Sequence, residues 1–391
     1  MSAPATGPGR DLRIDLFRGL AMFIILIDHI PRNPWWHWMI GRFTFFDAAE
    51  IFVFCSGMAS ALSFGRTFER AGWAMGTART ATRVWQLYWA HLGLFFFVAM
   101  MMVAFDMLGA VERSYVERLN LDRFFDGPGP PLVGLFTLTY VPNYFDILPM
   151  YIAILALIPL AVALARVDPR LAMGASVAVW LACNAGLLGL PAEPWSDREW
   201  FFNPFGWQLL FFTGFAFLAG WLPAPPVRRG LVRGAVAFLI LTSPLSSPHV
   251  VTLLKQVWMP AADWAMEIYP RIFELRRKTE FGILRYLHFL AVAYLCWVAM
   301  GPRGIRLVPQ GAGLARLWRG AVRVTARVGQ QSLAIFVFSM ALAPLIGFGL
   351  DIAGRSAVSV ALANLGGLAL LVGAAYGIGW VKSQPWKPRP A

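Results

Sequence analysis

The chain has 391 residues, 58% of them apolar and 14% charged, with a mean hydropathy of +0.59. That balance excludes a soluble enzyme, and the apolar runs that recur along its length predict a polytopic helical membrane protein. The net charge of +13 is no nucleic-acid footprint, because the basic residues fall in short loops, where they set topology and meet anionic lipid.

Ten spans are predicted, at roughly 14–30, 43–64, 83–107, 144–165, 171–189, 205–222, 231–246, 282–300, 328–349 and 357–380. An even number puts both termini on one side. The loops of that side, from Arg10 to Arg389, hold 20 Lys and Arg and the other loops hold 12, so both termini are expected in the cytoplasm. The opposite side is acidic or mixed, with Glu112, Glu117, Asp122 and Asp126 in one loop and P-A-E-P-W-S-D-R-E-W in another. The expected fold is therefore all-α, a membrane helix bundle forming one domain over 1–391. Residues 1–13 and 381–391 are read as cytoplasmic tails and 301–327 as a basic cytoplasmic loop. The segment 247–281 is read as an extracytoplasmic or partly re-entrant segment. Cys55, Cys183 and Cys296 each lie in an apolar run with no metal-ligand spacing, and read as small core residues.

The first span reads D-L-F-R-G-L-A-M-F-I-I-L-I-D-H-I and carries Arg18, Asp28 and His29. No small-residue cleavage signature closes it, so it is expected to be retained rather than removed as a signal peptide. Arg18 and His29 are eleven residues apart, three helical turns plus roughly 20°, so both project from one stripe about 16 Å long. Ionisable groups inside a span usually face a protein cavity, which makes this stripe the first functional candidate. The alternative places Arg18 at the headgroups and the other two at the far surface. A positioned His is the commonest general base, and a nearby carboxylate can hold its tautomer. Asp28 points about 100° away from His29 on a helix. Asp47 and Glu50, in F-F-D-A-A-E-I-F, share a face, and Glu50 needs a partner such as Arg18 or His29, or else forms a structural ion pair.

Arg83, Gln86 and His91 open the third span. Asp146, in N-Y-F-D-I-L-P-M-Y, either contacts a sugar hydroxyl or caps its helix. F-F-N-P-F-G-W-Q brings Asn203, Trp207 and Gln208 to the start of the sixth span, a mixture suited to stacking and hydrogen bonding with carbohydrate. Arg285 and His288 share a face of the eighth span, and Gln331 and Ser332 open the ninth. No G-x-S-x-G, H-E-x-x-H, Walker loop or G-x-G-x-x-G occurs, which disfavours a serine hydrolase, a zinc protease and a nucleotide-driven pump.

The R-x10-H of the first span resembles the Arg/His motif of the acyltransferase-3 membrane acyltransferases. A larger set, R-D-L-R-I-D-L-F-R-G-L, I-D-H-I-P-R-N, D-A-A-E-I-F-V-F-C-S-G, F-N-P-F-G-W-Q-L-L-F-F-T-G and K-T-E-F-G-I-L-R-Y-L-H-F, resembles the OpgC-type branch that succinylates osmoregulated periplasmic glucans. The resemblance runs from about Arg10 to the last span and implies a multi-pass protein of the bacterial inner membrane. It implies His29 as catalytic base and Arg18 as a residue that holds the acyl donor or the active conformation. The implied co-substrate is an acyl-CoA, succinyl-CoA for this branch, with no metal; the implied partners are membrane lipid and a periplasmic glucan. A succinyl carboxylate demands a cation in its pocket, for which Arg285 is the first candidate and Lys278 the second; Arg83 joins them as a donor-binding candidate. Asp47, Asp146, Asn203, Trp207, Gln208 and His288 are candidates for the acceptor, and Asp28 and Glu50 for support of His29. The competing readings are an acetyltransferase acting on another envelope polysaccharide and a non-enzymatic transporter of a glycan, lipid or acyl donor.

Overall fold

The computed structural model describes residues 11–109 and 114–387. Arg10, Glu112 and Arg389, which enter the charge argument, lie outside these. Regular secondary structure among the described residues is helical, apart from one isolated antiparallel bridge, Pro191 to Glu199.

Helix α1 is Leu12–His29, α2 is Ala48–Ser60 and α3 is Arg66–Met107. A π-helical turn at Ala61–Gly65 joins α2 to α3, so the predicted cytoplasmic loop between the second and third spans is helix instead. Its Arg, Ala and Met content favours helix, and a hydropathy window does not register a polar helix. Gly72, at φ +82°, makes the one kink there, a conformation that glycine adopts without strain. Next come α4 (Ile147–Ala156) and α5 (Ile158–Val167), which break at Leu157 because Pro159 lacks an N–H and crowds the preceding turn. Then follow α6 (Pro169–Asn184), α7 (Pro204–Ala219), α8 (Arg229–Thr242), α9 (Pro248–Val257), α10 (Met259–Arg271) and α11 (Ile283–Met300). The last three are α12 (Leu314–Gln330), α13 (Ser332–Ala353) and α14 (Ala357–Lys382).

Every predicted span thus contains helix, but length and composition qualify fewer of them to cross a membrane. Among the described residues five do: Ala48–Met107, Ile147–Val167, Ile283–Met300, Ser332–Ala353 and Ala357–Lys382. A sixth exists if Arg229–Leu245 and Pro248–Val257, bent by 92°, form one broken span or re-entrant loop. The segment 247–281 is accordingly structured, with Ser247 capping α9 and Pro248 at its first position. The basic segment 301–327 is not a loop either, since most of it is α12.

The chain divides into two compact units. The first holds the described residues up to Phe52, then Val227–Met259, then the chain from Leu290 onward. In it α1 packs along α12, with Gly19 against the backbone of Thr325 and Gly329 against the backbone of Asp15. Small residues at such a crossing let two backbones approach where any side chain would hold them apart. Leu16, Met300, Leu307 and Val322 are buried together beside it, with Leu12, Phe17 and Cys296. Beyond the end of α1, the Asn33 and Asn364 amides bond each other at 2.7 and 3.0 Å, and Asn33 also donates to Ile27 O at 3.0 Å. Asp351 accepts from both Arg32 and Arg355.

The second unit is Val53–Pro226 with Pro260–Phe289. Helix α7 is buried on nearly every side along most of its length. Gly57 meets the backbone of Phe211, and Gly214 that of Phe54, in a second close crossing. Buried Leu87, His91, Leu94, Phe95, Val98 and Met102 mark the inner stripe of α3, which packs on α4.

Candidate functional site

Asp11 opens α1 by accepting from Arg13 N–H at 2.9 Å, and its apolar run carries the helix to His29. Arg18 points from that helix to the start of α13, where its Nη2 donates to Ser332 Oγ. Neighbouring Gln331 accepts from Lys382 Nζ at 2.8 Å, which ties α14 to the same place. The glycine crossing sets this arrangement, because Gly19 follows Arg18 directly and rests on Thr325.

His29 is the last residue of α1, and its Nδ1 lies 2.7 Å from Ile25 O. A carbonyl oxygen only accepts, so Nδ1 carries the proton in the neutral ring. The lone pair is then on Nε2, the nitrogen through which this ring can accept a proton. Asp28 is half-buried one residue earlier.

Asp47 and Glu50 form a reciprocal cap at the start of α2. Asp47 Oδ1 accepts from Ala49 N–H at 2.9 Å, and Glu50 Oε2 accepts from Asp47 N–H at 2.8 Å. Glu50 is fully buried, but it stands in the first turn of a helix rather than midway along a span. The D-A-A-E spacing is the local signal for this cap.

The other candidates lie in the second unit. Asn203 caps α7 by accepting from Phe205 N–H at 3.0 Å, and donates to Leu188 O at 2.8 Å. Trp207 is fully buried with its Nε1 donating to Lys278 O at 2.9 Å. Gln208 accepts from Ser176 Oγ at 2.6 Å and donates to Ser176 O at 2.7 Å and Phe205 O at 3.1 Å. The polar groups of these three already have partners within the unit. Lys278 Nζ sits over the rings of Phe201 and Phe202, 5.6 and 5.2 Å from their centroids. Arg285 and His288 are both buried on α11, one turn apart. Arg83 is half-exposed on α3 and donates to Gln86 Oε1 at 3.1 Å. Asp146 stands at the N-terminal position of α4 but makes no side-chain cap bond, so the capping reading is not realised. It is buried, and burial pushes its carboxyl up to about 7 against the pull of Arg198.

A family model described as OpgC protein matches residues 10–383, nearly the whole chain. The chain belongs to the OpgC family. No curated protein and no solved structure matches it. OpgC membership, together with several helices apolar enough to span a bilayer, supports a membrane-bound transferase with an acyltransferase-like role in glucan modification. Within this OpgC chain, His29, Arg18, Asp28, Asp47 and Glu50 fall in the first unit, and the remaining candidates in the second. Three residues escaped the sequence reading: Tyr144, Arg198 and Trp200. The last two stand in W-S-D-R-E-W, where nothing local marks Trp200 as buried or Arg198 as half-buried.

Proposed function

We propose that this OpgC-family protein moves a succinyl group from succinyl-CoA to a glucose hydroxyl of a periplasmic glucan, with His29 as general base. The observation that carries the reading is the Nδ1 contact with Ile25 O, which leaves the lone pair on Nε2. In the proposed step the acceptor oxygen attacks the thioester carbonyl carbon while Nε2 takes its proton. Collapse of the tetrahedral intermediate breaks the C–S bond, and the imidazolium returns the proton to the departing CoA sulfur. Direct transfer needs no enzyme nucleophile. Arg18 holds the donor or the active conformation, and its bond to Ser332 fits the second of these roles. Ten spans with both termini in the cytoplasm of a bacterial inner membrane would let the donor approach from one side and the acceptor from the other. Arg285 is proposed to receive the succinyl carboxylate.

Mass spectrometry of envelope glucans tests this. A deletion strain complemented with the native protein should show succinylated glucans, and one complemented with His29→Ala should not. Acetyl loss in their place would establish an acetyltransferase. Unchanged glucan masses in the deletion strain would remove the enzymatic reading and favour a transporter.

A further inference from the structure

In the second unit two segments that are distant in the chain are knitted together. Val141 N–H donates to Ala192 O at 2.7 Å, Ala192 N–H to Arg198 O at 2.7 Å, and Trp200 N–H to Leu190 O at 2.9 Å. Arg198 Nη2 donates to Val141 O and to Glu193 Oε2, both at 2.9 Å. The Tyr140 and Trp195 rings lie 5.2 Å apart.

This knit holds three buried polar atoms that have no hydrogen-bond partner among the described residues: Asp146 Oδ1, Arg198 Nε and Trp200 Nε1. Asp146 is charge-coupled to Arg198, and the backbone N–H groups of Tyr144 and Phe201 approach its carboxyl. Tyr144 itself sits at φ +85°, a conformation that a bulky side chain adopts only when its surroundings impose it. Buried polar atoms are normally paired, and strain of this kind gathers at ligand sites. Half-buried Trp195 lies in the same segment against Tyr140, and Phe201 and Phe202 follow Trp200 directly.

We propose that this knit is a saccharide subsite in which Asp146, Arg198 and Trp200 bond the hydroxyls of one glucose unit. Two N–H donors beside a carboxyl match a pair of hydroxyls, each of which both donates and accepts. A lipid tail would leave all three atoms unpaired. The three atoms are closed from solvent, while Ser196 and Asp197, between bridged Pro191 and Glu199, are exposed. As an acceptor subsite it rests on the acyltransferase reading; as a saccharide site it does not.

The test is calorimetric titration of the full-length protein in detergent with a soluble oligosaccharide of β-linked glucose. Native protein should bind, and Asp146→Asn and Trp200→Phe should each weaken binding about tenfold, the loss expected for one buried hydrogen bond. Trp200→Phe should still unfold in one cooperative transition, at a somewhat lower temperature because the smaller ring leaves a void. Should Asp146→Asn fail to fold, Trp200→Phe carries the test alone. Native affinity in Trp200→Phe, or no binding by native protein, overturns the subsite. Acyl transfer is read separately. Binding that weakens as stated without any transfer supports the subsite and removes the proposed reaction, whereas transfer with unchanged affinities removes the subsite alone.

Discussion

Replacing Gly329 by Ala tests whether the α1–α12 crossing places Arg18. A Cβ at 329 would overlap Asp15 O and stand 2.7 Å from Gly19 N and 2.8 Å from Asp15 C. Ordinary contact between such atoms is about 3.5 Å, so relieving the overlap with Asp15 O moves the helices apart by more than about 1 Å. The obstacle is backbone on both sides, which no rotamer change relieves. Overpacking of this kind destabilises by about 1–3 kcal/mol. The same displacement draws Arg18, next to Gly19, away from Ser332. A misplacement near 1 Å can lower a rate by about a hundredfold. Gly320→Ala is the internal control, because it lies on the same helix with nothing within 4 Å of the new Cβ. It should be neutral or stabilising by up to ~1 kcal/mol through helix propensity. The assay is thermal unfolding in detergent alongside glucan succinylation with purified protein. A Gly329→Ala protein that melts and transfers like Gly320→Ala would refute the reasoning.

Four further outcomes are expected. His29→Ala should lower transfer by about 10²–10⁴-fold, the range for loss of a positioned base, while protein abundance in the membrane stays native. Arg285→Ala should reduce transfer from succinyl-CoA at least about tenfold more than transfer from acetyl-CoA, and an equal fall in both would remove its selectivity role. Asn364→Leu should cost about 1–3 kcal/mol by leaving the buried Asn33 amide short of its partner, and adding Asn33→Leu should recover part of that, as read by unfolding of the single and double variants. Asp146 titrates near 7 when folded, against an ordinary 3.8, because burial disfavours its charge. The folded state then binds the extra proton between those values, so this group's contribution to stability is full below about pH 4, falls as pH rises towards 7, and is flat beyond. Asp146→Asn should flatten that part of the pH–stability curve, and an unchanged slope would mean that the carboxyl is not held neutral.

Local pattern was enough for the helical character and for the stripe on α1. Apolar runs mark helices whatever they pack against, and a spacing of eleven residues aligns Arg18 with His29 on any α-helix. The same local view misread the basic segments at 66–82 and 301–327 as loops, since a polar or one-sided helix carries no hydropathy signal. Glu50 is buried within its span as the apolar run implies, and the fold also uses it to close the first turn of α2. Tertiary structure alone decided the rest. Gly19 meets Thr325, Asn33 meets Asn364, and Arg18 meets Ser332 across some three hundred residues, pairings that no sequence period encodes. The His29 tautomer turns on a single ring orientation, and the Asp146–Arg198 knit on two loops that only the folded chain brings together.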